Sequence, residues 1–421
     1  MSVRAGRVNL AACAARAPAH ATGDGEPGHA GPFDANAGGK FPRTPDPCRN
    51  ARPAQQSVVA DRSPATPPAP AAPVDAERQA RRDAARQWTT PKFDEPKPEH
   101  YNRLGLDFRR PMDRPTVAGR VIDCHSHLLA AHHADEWFEA ADHFGIDHTI
   151  TMSPLEECIK LVRGPYADRM TLIAVPAWEP GGYDEDNFWP RVKAYRDLGC
   201  RVVKFHLAPG TMQKSNLFLG TDRLRGYMDR ARDLGMIIMT HIGDPQAWYD
   251  SPDRYGGDPE FWGTRDDQYD AWERLLEHTR GHPWWGAHLG GWPENLPRLQ
   301  HLLDTYPDLM LDLSATKWIV RALAADPAAA RDFVIRNADR LMWGSDQVSQ
   351  DGRGYDFYAS RWWSHRTLFE TSYEGESPIA DPDAPGGIPM IKGLSLPEDV
   401  LQKLYRDNVL RLLGRVGVTI A

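Results

Sequence analysis

Two imidazoles close the run Val121-Ile122-Asp123-Cys124-His125-Ser126-His127. In a strand, residues two apart point to the same face. His125 and His127 then stand side by side at the strand's C-terminal end, as a ready pair of metal ligands. Alone, His-x-His is a weak sign, because surface histidines are common. Three further apolar runs strengthen it, since each also ends in a residue able to ligate: one closes in His241, one is Trp284-Trp285-Gly286-Ala287-His288, and one is Leu341-Met342-Trp343-Gly344-Ser345-Asp346.

These residues need elements that bring them to one place. From residue 120 onward, strand-like apolar runs alternate with stretches of helical spacing. The runs fall at 120–124, 148–152, 170–175, 201–205, 236–240, 284–287, 309–313 and 341–344. Between them Leu224, Tyr227, Met228, Ala231 and Leu234 form one helical stripe stopped by Gly235. Leu296, Leu299, Leu303 and Tyr306 form another, stopped by Pro307. A last helix over 397–413 closes the domain. Eight strand–helix units over about 290 residues predict a (β/α)₈ TIM-type barrel, for which ~250 residues is typical. An open doubly wound sheet is the alternative, and no glycine-rich phosphate loop after the first strand supports it. In a barrel, His125, His127, His241, His288 and Asp346 all lie at the C-terminal ends of strands, where such folds keep their active sites.

Ahead of the barrel, residues 1–86 read as a disordered leader rich in Ala, Pro and Gly, with a short helix near 76–87. Residues 87–119 read as a Pro-punctuated surface arm, and 120–416 as the (β/α)₈ domain that carries the candidate metal ligands. The chain has 421 residues, a formal net charge of -8 and 41% hydrophobic residues. Mild acidity argues against a nucleic-acid binder. No apolar run approaches the roughly 18–20 residues of a membrane span. Five cysteines without a Cys-x-x-Cys favour a reduced, cytoplasmic chain. Leu10-Ala11-Ala12-Cys13 has the form of a lipoprotein-type cleavage box, but the apolar segment before it is too short for an ordinary export signal.

Together the motifs resemble the amidohydrolase superfamily: His-x-His on strand one, His on strands five and six, Asp on strand eight. Gly286-Ala287-His288-Leu289-Gly290-Gly291 and Met342-Trp343-Gly344-Ser345-Asp346 are similar to the amidohydrolase-related branch that includes aminocarboxymuconate-semialdehyde decarboxylase-like proteins. The resemblance spans residues 120–413. It implies that His125, His127, His241 and Asp346 bind a divalent metal and that His288 assists chemistry or holds the substrate. It also implies a scaffold used by both hydrolases and non-oxidative decarboxylases, and some relatives carboxylate a strand-four lysine to bridge two metals.

Three imidazoles and a carboxylate suit Zn²⁺ with an open position, and Mn²⁺ or Fe²⁺ are accepted by the same ligands. The expected activity is hydrolysis of a small polar organic molecule, at an amide, lactone or related bond, with Asp346 as base and His288 stabilising the developing charge. A carboxy-lyase on the same metal site is the alternative, and a non-catalytic small-molecule binder the third reading. Lys204 and His206 end strand four on one face. Lys204 reads first as a substrate-side cation or a member of a buried ion pair, and His206 as either a pocket or a packing residue. Asp123 reads as a carboxylate that orients a ligand, Cys124 as a small buried residue, and His132, His133, His143, His278 and His282 as surface. The insertion 244–267 carries Trp248 and is too long for an ordinary loop. It reads as a lid over the mouth, or as a contact within a homo-oligomer. Arg353 and the run from Arg361 follow strand eight, and an arginine there is placed to hold a substrate carboxylate. The stretch 361–371 reads equally as the eighth barrel helix, with its tryptophans in the core.

Overall fold

The computed structural model describes residues 97–110 and 120–420; the leader, most of the surface arm and the helix expected near 76–87 lie outside these. All eight expected strands are present: β1 (Val121–His127), β2 (Ile146–Met152), β3 (Met170–Ile173), β4 (Val202–Leu207), β5 (Ile237–Ile242), β6 (Trp284–Gly286), β7 (Leu309–Asp312) and β8 (Leu341–Met342). A ninth short strand, β9 (Gln347–Val348), resumes the eighth barrel strand after a break at Trp343–Asp346.

Every pairing among β1–β9 is parallel, in the orders β3-β2-β1-β9 and β4-β5-β6-β7-β8. The two runs join at both ends. On one side Ala174 bridges to Val203, with Lys204 N donating to Ala174 O at 2.9 Å. On the other, Cys124 N donates to Trp343 O at 3.1 Å and Asp346 N to His125 O at 2.7 Å. The sheet therefore closes into a barrel, and the α/β TIM-type fold read from the alternating runs is the fold observed.

Helices cover the outside. Trp137, Trp272, Trp284, Trp343 and Trp362 are all completely buried, which anchors the helix layer with large apolar surfaces. Trp362 belongs to the helix Tyr355–Glu370, so the stretch expected as the eighth barrel helix is that helix, begun earlier. The expected last helix spans Glu398–Gly414 with a π-helical turn at Lys403–Asp407. Two glycines permit close approaches that position the site. A Cβ on Gly286 would lie 2.7 Å from Leu311 and 3.1 Å from Trp272, and one on Gly344 would lie 2.8 Å from His125 N. Gly344 thus lets the broken eighth strand lie directly against the His-x-His strand.

Candidate metal centre

The ends of β1, β4, β6, β7 and the β8–β9 break converge on His125. Its ring is fully buried, and its two nitrogens face different environments. Nδ1 lies 2.8 Å from Asp312 Oδ2 and 2.9 Å from Ser314 Oγ. Nε2 faces Asp346 Oδ1 at 3.3 Å and Lys204 Nζ at 3.4 Å. Asp346 Oδ1 also lies 2.9 Å from His127 Nε2.

Asp312 is the hub of the inner side. It accepts from Trp285 Nε1 at 2.7 Å, the backbone N of His288 at 2.9 Å, Ser314 N at 3.1 Å and Ser314 Oγ at 2.5 Å, besides His125. Burial favours the neutral acid, but the His125 ring and its hydrogen bond outweigh it and hold Asp312 well below the usual carboxylate range. An ionised carboxylate only accepts, so His125 must carry a proton on Nδ1. Ser314 has one hydroxyl proton, and the short contact gives it to Asp312. The 2.9 Å contact between Ser314 Oγ and His288 Nδ1 is then donated by His288. Both rings therefore turn an Nε2 away from this network, as in the carboxylate–histidine arrangements that orient metal ligands. Burial pushes His288 well below its usual range, which keeps the ring neutral.

The outer side is partly open. His127 is stacked on Trp178 at 5.4 Å and 13°, and Trp178 is 41% exposed. Asp123 touches no metal-ligand ring. It accepts from Ser345 N at 2.9 Å, Ser345 Oγ at 2.6 Å and Trp362 Nε1 at 2.9 Å, and so fixes the strand break that carries Asp346. His288 and Asp346 both adopt left-handed backbone, with φ of 55° and 57°, and Ala315 after β7 does so at 80°.

The expected residues separate into those brought together and those that are not. His125, His127 and Asp346 form one group of converging ligand atoms, and His125, His288 and Asp312 another. His241 lies outside both: its Nε2 donates to Gly243 O at 2.8 Å, with Asp244 Oδ1 at 3.4 Å. Strand pairing places its ring 4.3 Å from that of His206 and the side chain packs 4.5 Å from the His288 ring. Lys204 is buried and forms no ion pair among the described residues; burial lowers its pKa to about 8, against the pull of Asp312 and Asp346. With His206 and Trp178 it lines a cleft of about 1020 Å³ beside β3 and β4. Trp248 hydrogen-bonds through Nε1 to Asp383 Oδ2 at 3.0 Å, so the insertion docks on the segment after β9. Arg353 Nη1 donates to Val348 O at 2.8 Å and its guanidinium lies over Phe357. Cys124 is buried as expected. Among the histidines read as surface, His133, His143 and His282 are half-buried, because each lies against packed neighbours.

Asp312, Ser314 and Trp178 were not singled out from the sequence. For Asp312 the signal existed: Leu309-Met310-Leu311-Asp312 is one more apolar run ending in a potential ligand. Leu313 continues the apolar run past it and so conceals Asp312 within a strand.

The donor set suits a divalent cation. His125 Nε2, His127 Nε2 and Asp346 Oδ1 converge within one ligand sphere, and nitrogen and carboxylate oxygen are ordinary zinc ligands. Barrel and site together define a metal-dependent hydrolase or lyase scaffold. Residues 128–415, well over half the chain, match the family model described as amidohydrolase, and the chain belongs to that family, in the branch that its motifs resemble. The match begins just past His127, so the His-x-His pair rests on the geometry above. No curated protein matches the chain. Among solved structures, an amidohydrolase from Burkholderia multivorans with bound zinc is 13% identical, covering 70% of this chain and 99% of that one at a TM-score of 0.41. The 4-oxalomesaconate hydratase of Rhodopseudomonas palustris is 14% identical, covering 70% and 96% at 0.40. A protein from Agrobacterium tumefaciens is 13% identical, covering 60% and 93% at 0.39. Among the described residues no helix is long and apolar enough to cross a membrane.

Proposed function

We propose that this chain is a metal-dependent hydrolase of a small polar organic molecule, acting on an amide, a lactone or a related bond. The observation that carries the reading is the sharing of Asp346 Oδ1 by His125 Nε2 and His127 Nε2 at the barrel mouth. His125, His127 and Asp346 would hold the ion, with zinc the best match to nitrogen and carboxylate ligands; His241 would join them by giving up its bond to Gly243 O. A bound divalent metal would supply a water of lowered pKa, near ~7, and polarise a substrate oxygen.

The remaining roles belong to the chain. Both imidazole contacts of Asp346 are made through Oδ1, which leaves Oδ2 to take a proton from the attacking water. His288 is neutral with its Nδ1 proton committed to Ser314, so it offers an acceptor at Nε2. That makes it a base or a ligand rather than the stabiliser of developing charge that the sequence suggested. Lys204 takes the latter role: its ammonium sits 3.4 Å from His125 Nε2, in a site too dry to screen it. Trp178 forms an apolar wall beside His127.

The test is metal analysis of the purified protein followed by a panel of lactones, amides and aromatic carboxylates, with CO₂ release measured in parallel. Hydrolysis of a lactone or amide that needs the bound metal is the expected result. CO₂ release without hydrolysis would replace this reading with a carboxy-lyase, and binding without turnover would replace it with a binder.

A further inference from the structure

A second cleft, of about 810 Å³, opens on the β8 side of the mouth, with Asp346 on its floor and Trp318, Lys317, Arg353, Arg361 and Asp381 among its lining residues. Its charge is uneven. Lys317 and Arg361 form no ion pair among the described residues. The acids that act on Lys317, Asp381 and Asp383, are both held by Arg321, and Asp383 also takes the indole N–H of Trp248. Asp346 faces the imidazoles. Arg361 is held by one edge: Nη1 donates to Phe357 O at 3.1 Å and to Ser360 Oγ at 3.0 Å, and the guanidinium lies 3.4 Å over the Phe357 ring. Among the described residues no acceptor takes its Nε or Nη2. The ring and the helix backbone thus fix the plane of a guanidinium whose other edge is left for a ligand. Arg353 and Lys317 add like charge to the same space; beyond burial, Arg353 raises the cost of ionising Arg361, and Arg361 that of ionising Lys317.

Such a cluster is stabilised by an anion, and a fixed guanidinium edge matches the two oxygens of a carboxylate or phosphate. We infer that the substrate carries an oxyanion group, carboxylate or phosphate, that binds Arg361 and Lys317 on the β8 side, while its scissile bond lies over Asp346. This rests on the hydrolase reading for the second half of the statement only. The β3–β4 cleft is more evenly charged: Glu179 and Asp184 line it together with Lys204, Lys214 and Arg223.

The test uses the metal-loaded, full-length protein, with glutarate, inorganic phosphate and the neutral analogue glutaramide as calorimetric probes. The variants are Lys317→Met, Arg361→Met and both together, with metal content and melting temperature measured for each. Wild type should bind glutarate or phosphate and not glutaramide. The double variant should bind the anion at least ~10-fold more weakly at unchanged metal content, as expected for lost charge-assisted hydrogen bonds. Binding of phosphate alone supports a phosphate-bearing substrate, and binding of glutarate a carboxylate-bearing one. The inference is overturned if neither anion binds, if glutaramide binds as well as glutarate, or if the variants bind as wild type does, since the anion then sits on the metal alone. Lys317 is exposed on the first turn of its helix, so Lys317→Met decides the question even if Arg361→Met does not fold. Failure of the hydrolase reading is separable: anion binding that depends on Arg361 and Lys317 without any turnover keeps the subsite and removes the hydrolase. Hydrolysis of anionic and neutral substrates with equal KM in wild type and variants does the reverse.

Discussion

The inner and outer halves of the site are built from the same residue types and to opposite rules. On the inner side His125, His288, Asp312 and Ser314 are buried, and both oxygens of Asp312 accept from the protein itself. On the outer side the side chains of His127 and Asp346 keep 14% and 28% of their exposure, and their donor atoms crowd one spot with His125 Nε2. The inner network is complete without a ligand. The outer group requires a proton or a cation between its acceptors. A polar network that satisfies itself works as scaffold, and one that leaves acceptors facing each other works as a binding site.

That contrast can be broken most sharply at Asp346. Asp346→Asn keeps the shape and an oxygen able to ligate but loses the carboxylate proposed as the base. Turnover is expected to fall by about 10²–10⁴-fold and to stay low at saturating metal. Recovery of near-wild-type turnover in a metal titration would leave Asp346 a ligand only. His127→Ala should fail differently. Removing one donor from the outer group lowers metal occupancy, so plasma mass spectrometry of the purified variant should find little bound ion, and excess metal should restore part of the activity. Full occupancy at stoichiometric metal would remove His127 from the ligand set.

Asp312→Asn probes the inner half. An amide cannot accept from all the donors that surround Asp312, and its own N–H₂ would meet one of them. A stability loss of about 2–4 kcal/mol is expected, with metal affinity lowered roughly 10–100-fold through misoriented His125. Chemical denaturation and a metal competition assay read the two effects separately. A variant that loses affinity without stability would place Asp312 with the outer group. The smallest effect is expected at Trp248→Ala, which removes the contact to Asp383. KM or kcat should shift a few-fold while metal content holds, as for other lid contacts. Unchanged kinetics with an altered sedimentation profile would instead mark the insertion as a contact between copies.

The barrel was legible because its strands are fully buried and read as plain apolar runs, each with a boundary that sequence marks well. His125, His127 and Asp346 were legible because such runs end in them. The direction of a ring was not: β5 ends in His241 as expected, yet its Nε2 points to Gly243 O, a choice made by the loop that follows. Ser314 carries no signal of its own, since its importance lies in one hydroxyl that donates to Asp312 and accepts from His288. Arg361 was legible only as one of two equal readings, a carboxylate-holding arginine or part of a core helix. Helical spacing marks the stretch as a barrel helix, and only the position of its second turn beside Asp346 makes it part of the mouth.

The left-handed backbone at His288, Ala315 and Asp346 has a consequence for how this protein would respond to selection. Each departs from the conformation that a residue with a side chain prefers, at a cost of order 1–3 kcal/mol. Ala315→Gly relieves one such position and touches no ligand, so a search for heat resistance should find it early. At His288 and Asp346 the same search would be drawn to glycine or asparagine, the residues that tolerate that geometry best. With the roles proposed for His288 and Asp346, heat resistance and activity are opposed at those two backbone positions and not at Ala315. A library screened only for survival at high temperature should enrich inactive barrels, and sequencing it would show which of the three exits it used.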